Sequence, residues 1–282
     1  MTAAVFLAPR LAEEAVPGGV FVLDGPEGRH AVSVKRLRPG EEIVLSDGEG
    51  RWAPCVVKAA EGKDRLSVEV GELREEPVLS PRLVVVQALP KGDRGELAVE
   101  TMTETGVDAI VPWQAARCVT QWRGDRGAKS LAKWRATARE AGKQSRRPRF
   151  PEIAEAVSTK EAAALLSRAA LAVVLHEDTG TASTPLATLP LPDEGDIVLV
   201  VGPEGGVAPE DDREFHRGRR PRLPPGPLGP AHLHSGHGGR RAAVGAYGAV
   251  GVDPGVPRSG RLTSLVEELP GGHGGSGGGG RA

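Results

Sequence analysis

Gly202-Pro203-Glu204-Gly205-Gly206 follows directly on the apolar run DIVLVV at 196–201. Glycines at 202, 205 and 206 let backbone N–H and C=O groups approach a flat ligand with no Cβ in the way. The loop lacks the Gly-Lys-Ser/Thr ending of a phosphate-binding P-loop, and the acids flanking it would repel a triphosphate. A neutral or cationic nucleoside suits it better; a plain tight turn is the competing reading. His176-Glu177-Asp178, directly after LAVVL at 171–175, forms a second loop with polar chemistry. The third feature is charge. From Arg117 to Arg149 there are eleven Lys/Arg against two acids, Asp125 and Glu140, with Trp122 and Trp134 among them. Such a stretch has the electrostatic footprint of an RNA-binding face, and a solvated basic helix is the alternative. No residue identifies itself as a catalytic base. Cys55 and Cys118 give no zinc or disulfide framework, so no metal is expected.

In open α/β sheets, ligands sit beyond the C-terminal ends of strands, so these loops require such a sheet. Residues from about 82 to 212 supply the pattern. LVVVQAL (83–89) is a buried-strand run, and Asp93 to Thr105 has helical character, closed by Gly106 at a C′ position. AIVPW is a strand, followed by a helix from about 130 to 143 and then another helix. LAVVL and DIVLVV are continuous apolar runs, as in a parallel sheet covered on both faces. Pro209-Glu210-Asp211-Asp212 reads as a helix start, with a proline near the first helical position and acids in the first turn. Residues 17 to about 78 differ: short alternating runs punctuated by Gly, Asp and Pro predict a small β-barrel. Within it, Gly48 to Ala53 superficially fits G-x-G-x-x-A, but the run lies in a hairpin turn rather than between strand and helix and is set aside.

The 282 residues hold one large domain or two modest ones, with 39% hydrophobic and 26% charged residues, as in ordinary soluble proteins. No apolar run approaches the roughly 20 residues needed to span a bilayer. The N-terminus has no basic region ahead of a long apolar stretch, and two cysteines suit a reducing compartment. These features predict a cytoplasmic protein with no membrane partner.

VGPEGG at 201–206, placed after an apolar strand, resembles the signature loop of SPOUT methyltransferases. LPKGDR at 89–94, with Glu100 and then Glu104-Thr105-Gly106-Val107, resembles the first strand, loop and helix of the uridine-N3 branch. EAGKQSRR at 140–147 resembles that branch's "EA..QS.R" helix end. His30, Val34, Arg36 and Gly40 match its "H...V.R...G" pattern, which lies in a PUA-like barrel. From about residue 5 to 212 the chain is therefore similar to the SPOUT-class rRNA (uridine-N3)-methyltransferase family. The resemblance implies an α/β fold: a PUA-like RNA-binding β-barrel over 1–78 and a SPOUT domain of the trefoil-knot type over 79–212. It implies S-adenosyl-L-methionine as methyl donor, N3 of a uridine in 16S rRNA of the small ribosomal subunit as acceptor, and a homodimer. Carried over residue by residue, Gly202, Pro203, Glu204, Gly205 and Gly206 would hold the donor, with His176 and Glu177 lining the adjacent loop. His30, Arg36, Lys91, Arg94, Arg146 and Arg147 would contact RNA.

Residues 213–282 fit neither pattern, holding nineteen of the 39 glycines, eight of the 24 prolines and five of the seven histidines. By composition this tail is not expected to pack. The family's next element reads approximately R-L-G-x-x-V-L-R-T-x-T-A, whereas the chain has PPGPLGPAHLHSGHGG at 224–239. With synonymous third bases chosen freely, codons for that run read one base along encode Arg-Leu-Gly-Pro-Ser-Val-Leu-Arg-Thr-Ser-Thr-Ala. A single-base shift near Asp212–Phe215 would thus put the rest of the chain out of frame; a Gly/His-rich metal-binding tail is the competing reading. Two other functions stand beside the main one. A ribose 2′-O-methylase of the same class is opposed by the barrel pattern around His30 and Arg36. A non-enzymatic RNA-binding protein would show no donor binding.

Overall fold

A computed structural model describes residues 3–175 and 189–217. The N-terminal part is a six-stranded sheet built from short amphipathic strands. These are β1 (Ala4–Leu7), β2 (Val20–Leu23), β3 (Glu42–Ser46), β4 (Arg51–Glu61), β5 (Arg65–Val70) and β6 (Arg74–Glu75). The order is β1-β3-β4-β5-β2, with β6 on β4; β1 pairs parallel with β3 and the other ladders are antiparallel. Alternation decides which side is buried. Along β4, Ala53, Cys55 and Val57 point inward while Pro54, Val56 and Lys58 point out. The inward set joins Phe6, Leu11, Phe21, Leu23, Ile43, Leu45, Leu66, Val68 and Val70 in a separate core. Two short helices, α1 (Leu11–Glu14) and α2 (Gly25–Arg29), and a π-helical turn over His30–Val34 complete it.

The second part is a five-stranded, wholly parallel sheet in the order β10-β11-β7-β8-β9. Its strands are β7 (Arg82–Ala88), β8 (Ala109–Trp113), β9 (Glu152–Ile153), β10 (Leu171–Leu175) and β11 (Asp196–Val201). The predicted runs LVVVQAL, AIVPW, LAVVL and DIVLVV all sit in it, and β7, β8 and β11 are buried nearly end to end. That is the reason they lack alternation. Helices α3 (Arg94–Glu104) and α4 (Gly124–Gln144) pack on each other, as do α5 (Thr159–Arg168) and α6 (Pro209–Arg217). Gly106, with φ +91°, ends α3 as the sequence predicts.

Two helix boundaries differ from expectation. Helix α4 begins at Gly124, six residues before the predicted start, because Gly127 is an interior packing position. A Cβ there would lie 3.0 Å from the Trp122 Cβ and 2.9 Å from its carbonyl carbon. Without a side chain at Gly127, Trp122 can sit directly on the helix. At the other end, α6 runs past residue 212 to Arg217, and Phe215 is only 2% exposed, stacked at 5.1 Å on Trp113.

Strand order creates the site. From β7 the chain moves outward through β8 and β9, then returns on the other side with β10 and inserts β11 next to β7. The order reverses between β7 and β11, the position at which open α/β sheets bind ligands beyond their strands' C-terminal ends.

Candidate active site

The loop after β11 is Gly202–Ala208, and its glycines have different reasons to be glycine. A Cβ on Gly202 would lie 3.0 Å from Val207 Cγ2, so packing within the loop itself excludes a side chain. Gly206 adopts φ +73° and donates its N–H to the Pro203 carbonyl at 2.8 Å, closing a tight turn. Gly205 has neither reason. Its φ is not left-handed, and the nearest atom to a Cβ would be Arg117 Cδ at 3.8 Å. Backbone geometry and packing both permit a side chain at 205, whose Cβ would make only an ordinary contact with Arg117.

Glu204 reaches across to the loop after β7. Its Oε1 accepts the Lys91 N–H at 3.0 Å and lies 3.6 Å from the Arg94 guanidinium. Partial burial pushes this carboxyl up. The Lys91 and Glu204 backbone N–H groups and the charges of Arg94 and Lys91 outweigh that, and hold it below its ordinary value. The loop after β8 closes a third side: Thr120 Oγ1 donates to the Pro90 carbonyl at 2.9 Å, and Arg117 Nη1 donates to the Gly205 carbonyl at 2.7 Å. Behind it lies Asp211, 4% exposed, whose Oδ2 accepts the Ala116 N–H at 2.9 Å. Its Oδ1 accepts the Thr159 hydroxyl at 2.7 Å, and the Thr159 oxygen accepts Trp113 Nε1–H at 3.2 Å.

The structure thus brings Gly202, Pro203, Glu204, Gly205 and Gly206 together with Lys91 and Arg94. His176 and Glu177 lie outside the described residues. His30 is in the first part of the chain, half-buried with its ring edge-on to Phe6 at 5.7 Å, while Arg36 is exposed there with φ 55°. Arg146 is also exposed, with φ 55°. Arg147 has a structural role within the protein. Its Nη1 donates to the Thr103 and Val107 carbonyls at 2.9 and 2.8 Å, tying down the C-terminal end of α3.

The basic stretch as a whole divides in the same way. Lys143, 5% exposed, bonds Glu27 at 2.7 Å and Glu140 at 2.8 Å. Arg149 donates to the Glu76 carbonyl at 3.0 Å, and Arg135 donates to the Ile153 carbonyl and to Glu155. Trp134 is buried over Gly95, and the partly buried Trp122 packs edge-on to it at 4.9 Å. Arg117, Arg123, Arg126, Lys129, Lys133, Arg139 and Arg146 remain exposed. Sequence reasoning missed Arg117 and Asp211 as site residues. Asp211 read only as a first-turn acid and Arg117 only as one cation among eleven, because neither partner is near in sequence.

Comparisons with known proteins agree with this geometry. A family model described as an RNA methyltransferase domain matches residues 77–231, and one described as an RNA methyltransferase PUA domain matches residues 23–71. A Mycobacterium bovis protein named ribosomal RNA small subunit methyltransferase E is 46% identical over 198 residues, covering 69% of this chain and 74% of its own. A Bacillus subtilis protein of the same name is 31% identical over 195 residues, covering 66% and 75%. The crystal structure of a Neisseria gonorrhoeae ribosomal RNA small subunit methyltransferase E bound to S-adenosyl methionine superposes with a TM-score of 0.67 at 27% identity. It covers 88% of this chain and 97% of that one.

Proposed function

The chain belongs to the family of small-subunit ribosomal RNA methyltransferases E, and from that membership we propose that it transfers the methyl group of S-adenosylmethionine to N3 of a uridine in 16S rRNA. The observation that carries the assignment of the site is Gly205. A glycine that neither φ nor packing demands, at a topological switch point, offers bare backbone against which a flat ligand could lie. The donor supplies an electrophilic methyl carbon on a sulfonium. In the transfer the C–S bond breaks, its electron pair stays on sulfur, the N3–C bond forms, and the N3 proton leaves to solvent.

The chain's own contribution is positioning. Gly202 to Gly206 supply the backbone face for the donor, with Glu204 holding the β7 and β11 loops together. Rate then comes mainly from keeping donor and acceptor in line. Exposed Lys91 and Arg94 beside Glu204 are suited to RNA phosphates. Among the described residues no helix is long and apolar enough to cross a membrane. The working form in this reading is a cytoplasmic homodimer acting on the small ribosomal subunit.

The reading frame is part of the proposal. Up to Phe215 the side chains suit the domain, since Phe215 is buried on Trp113. Beyond it the composition changes and the shifted frame recovers the family's arginine-bearing element. A single-base shift near Asp212–Phe215 accounts for both, and the coding DNA across codons 205–245 tests it. For the function, the full chain is titrated with S-adenosylmethionine by calorimetry and incubated with unmethylated small subunits and labelled donor. With the tail out of frame, little or no label at uridine N3 is the expected result from the chain as written, and restoring the frame near codon 213 should restore it; full activity from the chain as written would overturn the frameshift. RNA binding without any donor binding would instead make the chain a non-enzymatic RNA-binding protein.

A further inference from the structure

The glycine loop has no packing of its own to hold Gly205. A Cβ built on Gly205 or Gly206 would meet only side-chain atoms of Arg117, at 3.8 to 4.0 Å, and Arg117 donates to the Gly205 carbonyl at 2.7 Å. Arg117 sits on the loop after β8, whose backbone is pinned one residue earlier by the buried Asp211 carboxylate at the Ala116 N–H. Asp211 is itself fixed by Thr159, and Thr159 by the buried indole of Trp113 at the end of β8. The result is a continuous chain of hydrogen bonds from the sheet core to one exposed carbonyl of the ligand loop.

We propose that Arg117 is a positioning residue for the methyl donor: it holds the Gly205 carbonyl, so the Gly205–Gly206 backbone keeps its open face towards the ligand, and Asp211 sets the loop that carries it. This rests on the reading of Gly202–Gly206 as the donor site. The physical basis is that a charge-assisted hydrogen bond to a carbonyl is stronger than a neutral one. The Asp211 carboxylate faces the Thr159 hydroxyl and the Ala116 N–H, so both its oxygens accept. Asparagine at 211 can accept from Ala116 and donate to the Thr159 oxygen, whereas alanine leaves the Ala116 N–H without that acceptor.

The test uses the full chain with R117A, R117K, D211A and D211N. Two readouts are taken: the dissociation constant for S-adenosylmethionine, and amide hydrogen exchange at Gly206, whose N–H bonds the Pro203 carbonyl without any ligand present. R117A is expected to weaken donor binding about tenfold and to speed Gly206 exchange by a similar factor. The melting temperature should stay unchanged. R117K, which keeps one donor for the carbonyl, should recover much of both, and D211N should resemble the unmodified chain where D211A does not. Unchanged donor affinity in R117A, or a loss confined to RNA affinity, overturns the proposal. If neither the unmodified chain nor one with the frame restored near codon 213 binds donor, the reading of the loop as the donor site falls, and unchanged Gly206 exchange in R117A would separately show that Arg117 does not hold the loop.

Discussion

Among single residues, glycines that look alike in the sequence have different physical consequences. At Gly205 a Cβ would make only an ordinary contact with Arg117 in the free chain. Gly205→Val should therefore leave stability within about 0.5 kcal/mol of the parent and abolish donor binding; calorimetry and a thermal melt on the same sample check both halves. Gly142 is the opposite case. A Cβ there would stand 2.5 Å from the Phe150 ring, so Gly142→Ala should cost about 1–3 kcal/mol by overpacking, measured by denaturant unfolding. Glu204 adds a pH effect with a definite sign. A carboxyl held below its ordinary value contributes stability above its unfolded pKa and loses it as pH falls through the folded one. The β7–β11 loop junction should therefore loosen only in acid, below the usual carboxylate range. Exchange at the Lys91 amide should report it, and Glu204→Gln should remove the dependence.

Between elements, the segment from Gly142 to Phe150 straps the parallel-sheet part to the N-terminal sheet. Phe150 N–H bonds the Gly48 carbonyl at 2.8 Å, Gly50 N–H and Ser46 Oγ bond the Pro148 carbonyl, and Lys143 bonds Glu27. Glu27 in turn accepts the Leu7 N–H at 3.2 Å. Burial alone would lower the Lys143 pKa, but the hydrogen bonds and charges of Glu140 and Glu27 outweigh it and raise the group above its ordinary value. A raised lysine contributes stability fully below its unfolded pKa and loses it as pH rises through the folded one. The strap should hold through neutral pH and weaken only in strong alkali. Lys143 is buried but its carboxylate partners are partly exposed, so Lys143→Ala should destabilise the chain by about 1–2 kcal/mol, read from the unfolding midpoint.

Across the molecular surface, RNA affinity should depend on the exposed cations and not on the count of basic residues. Neutralising Arg123, Arg126 and Lys129 together, all exposed near the start of α4, should lower the salt slope of rRNA-fragment binding by about two. Neutralising Arg147, whose guanidinium serves the α3 terminus, should lower stability and leave that slope alone. Filter binding across a salt series separates the two. Equal slopes for the triple variant and its parent would remove the α4 cations from the RNA face.

The elements and the ligand loop were legible in the chain before folding. The apolar runs of β7, β8, β10 and β11 are local, and hydrophobicity with turn residues is enough to mark them. VGPEGG is contiguous, so its glycines stand out wherever they fold. Which charges are available depends instead on contacts made in three dimensions. Lys143, Arg147 and Arg149 belong to the same basic run as Arg123 and Arg126, yet they bond Glu27, Thr103 and Glu76, residues 44 to 116 positions away. The start of α4 at Gly124 and the burial of Asp211 have the same origin. In each case the deciding contact lies outside the local pattern, and composition or periodicity within a window carries no information about it.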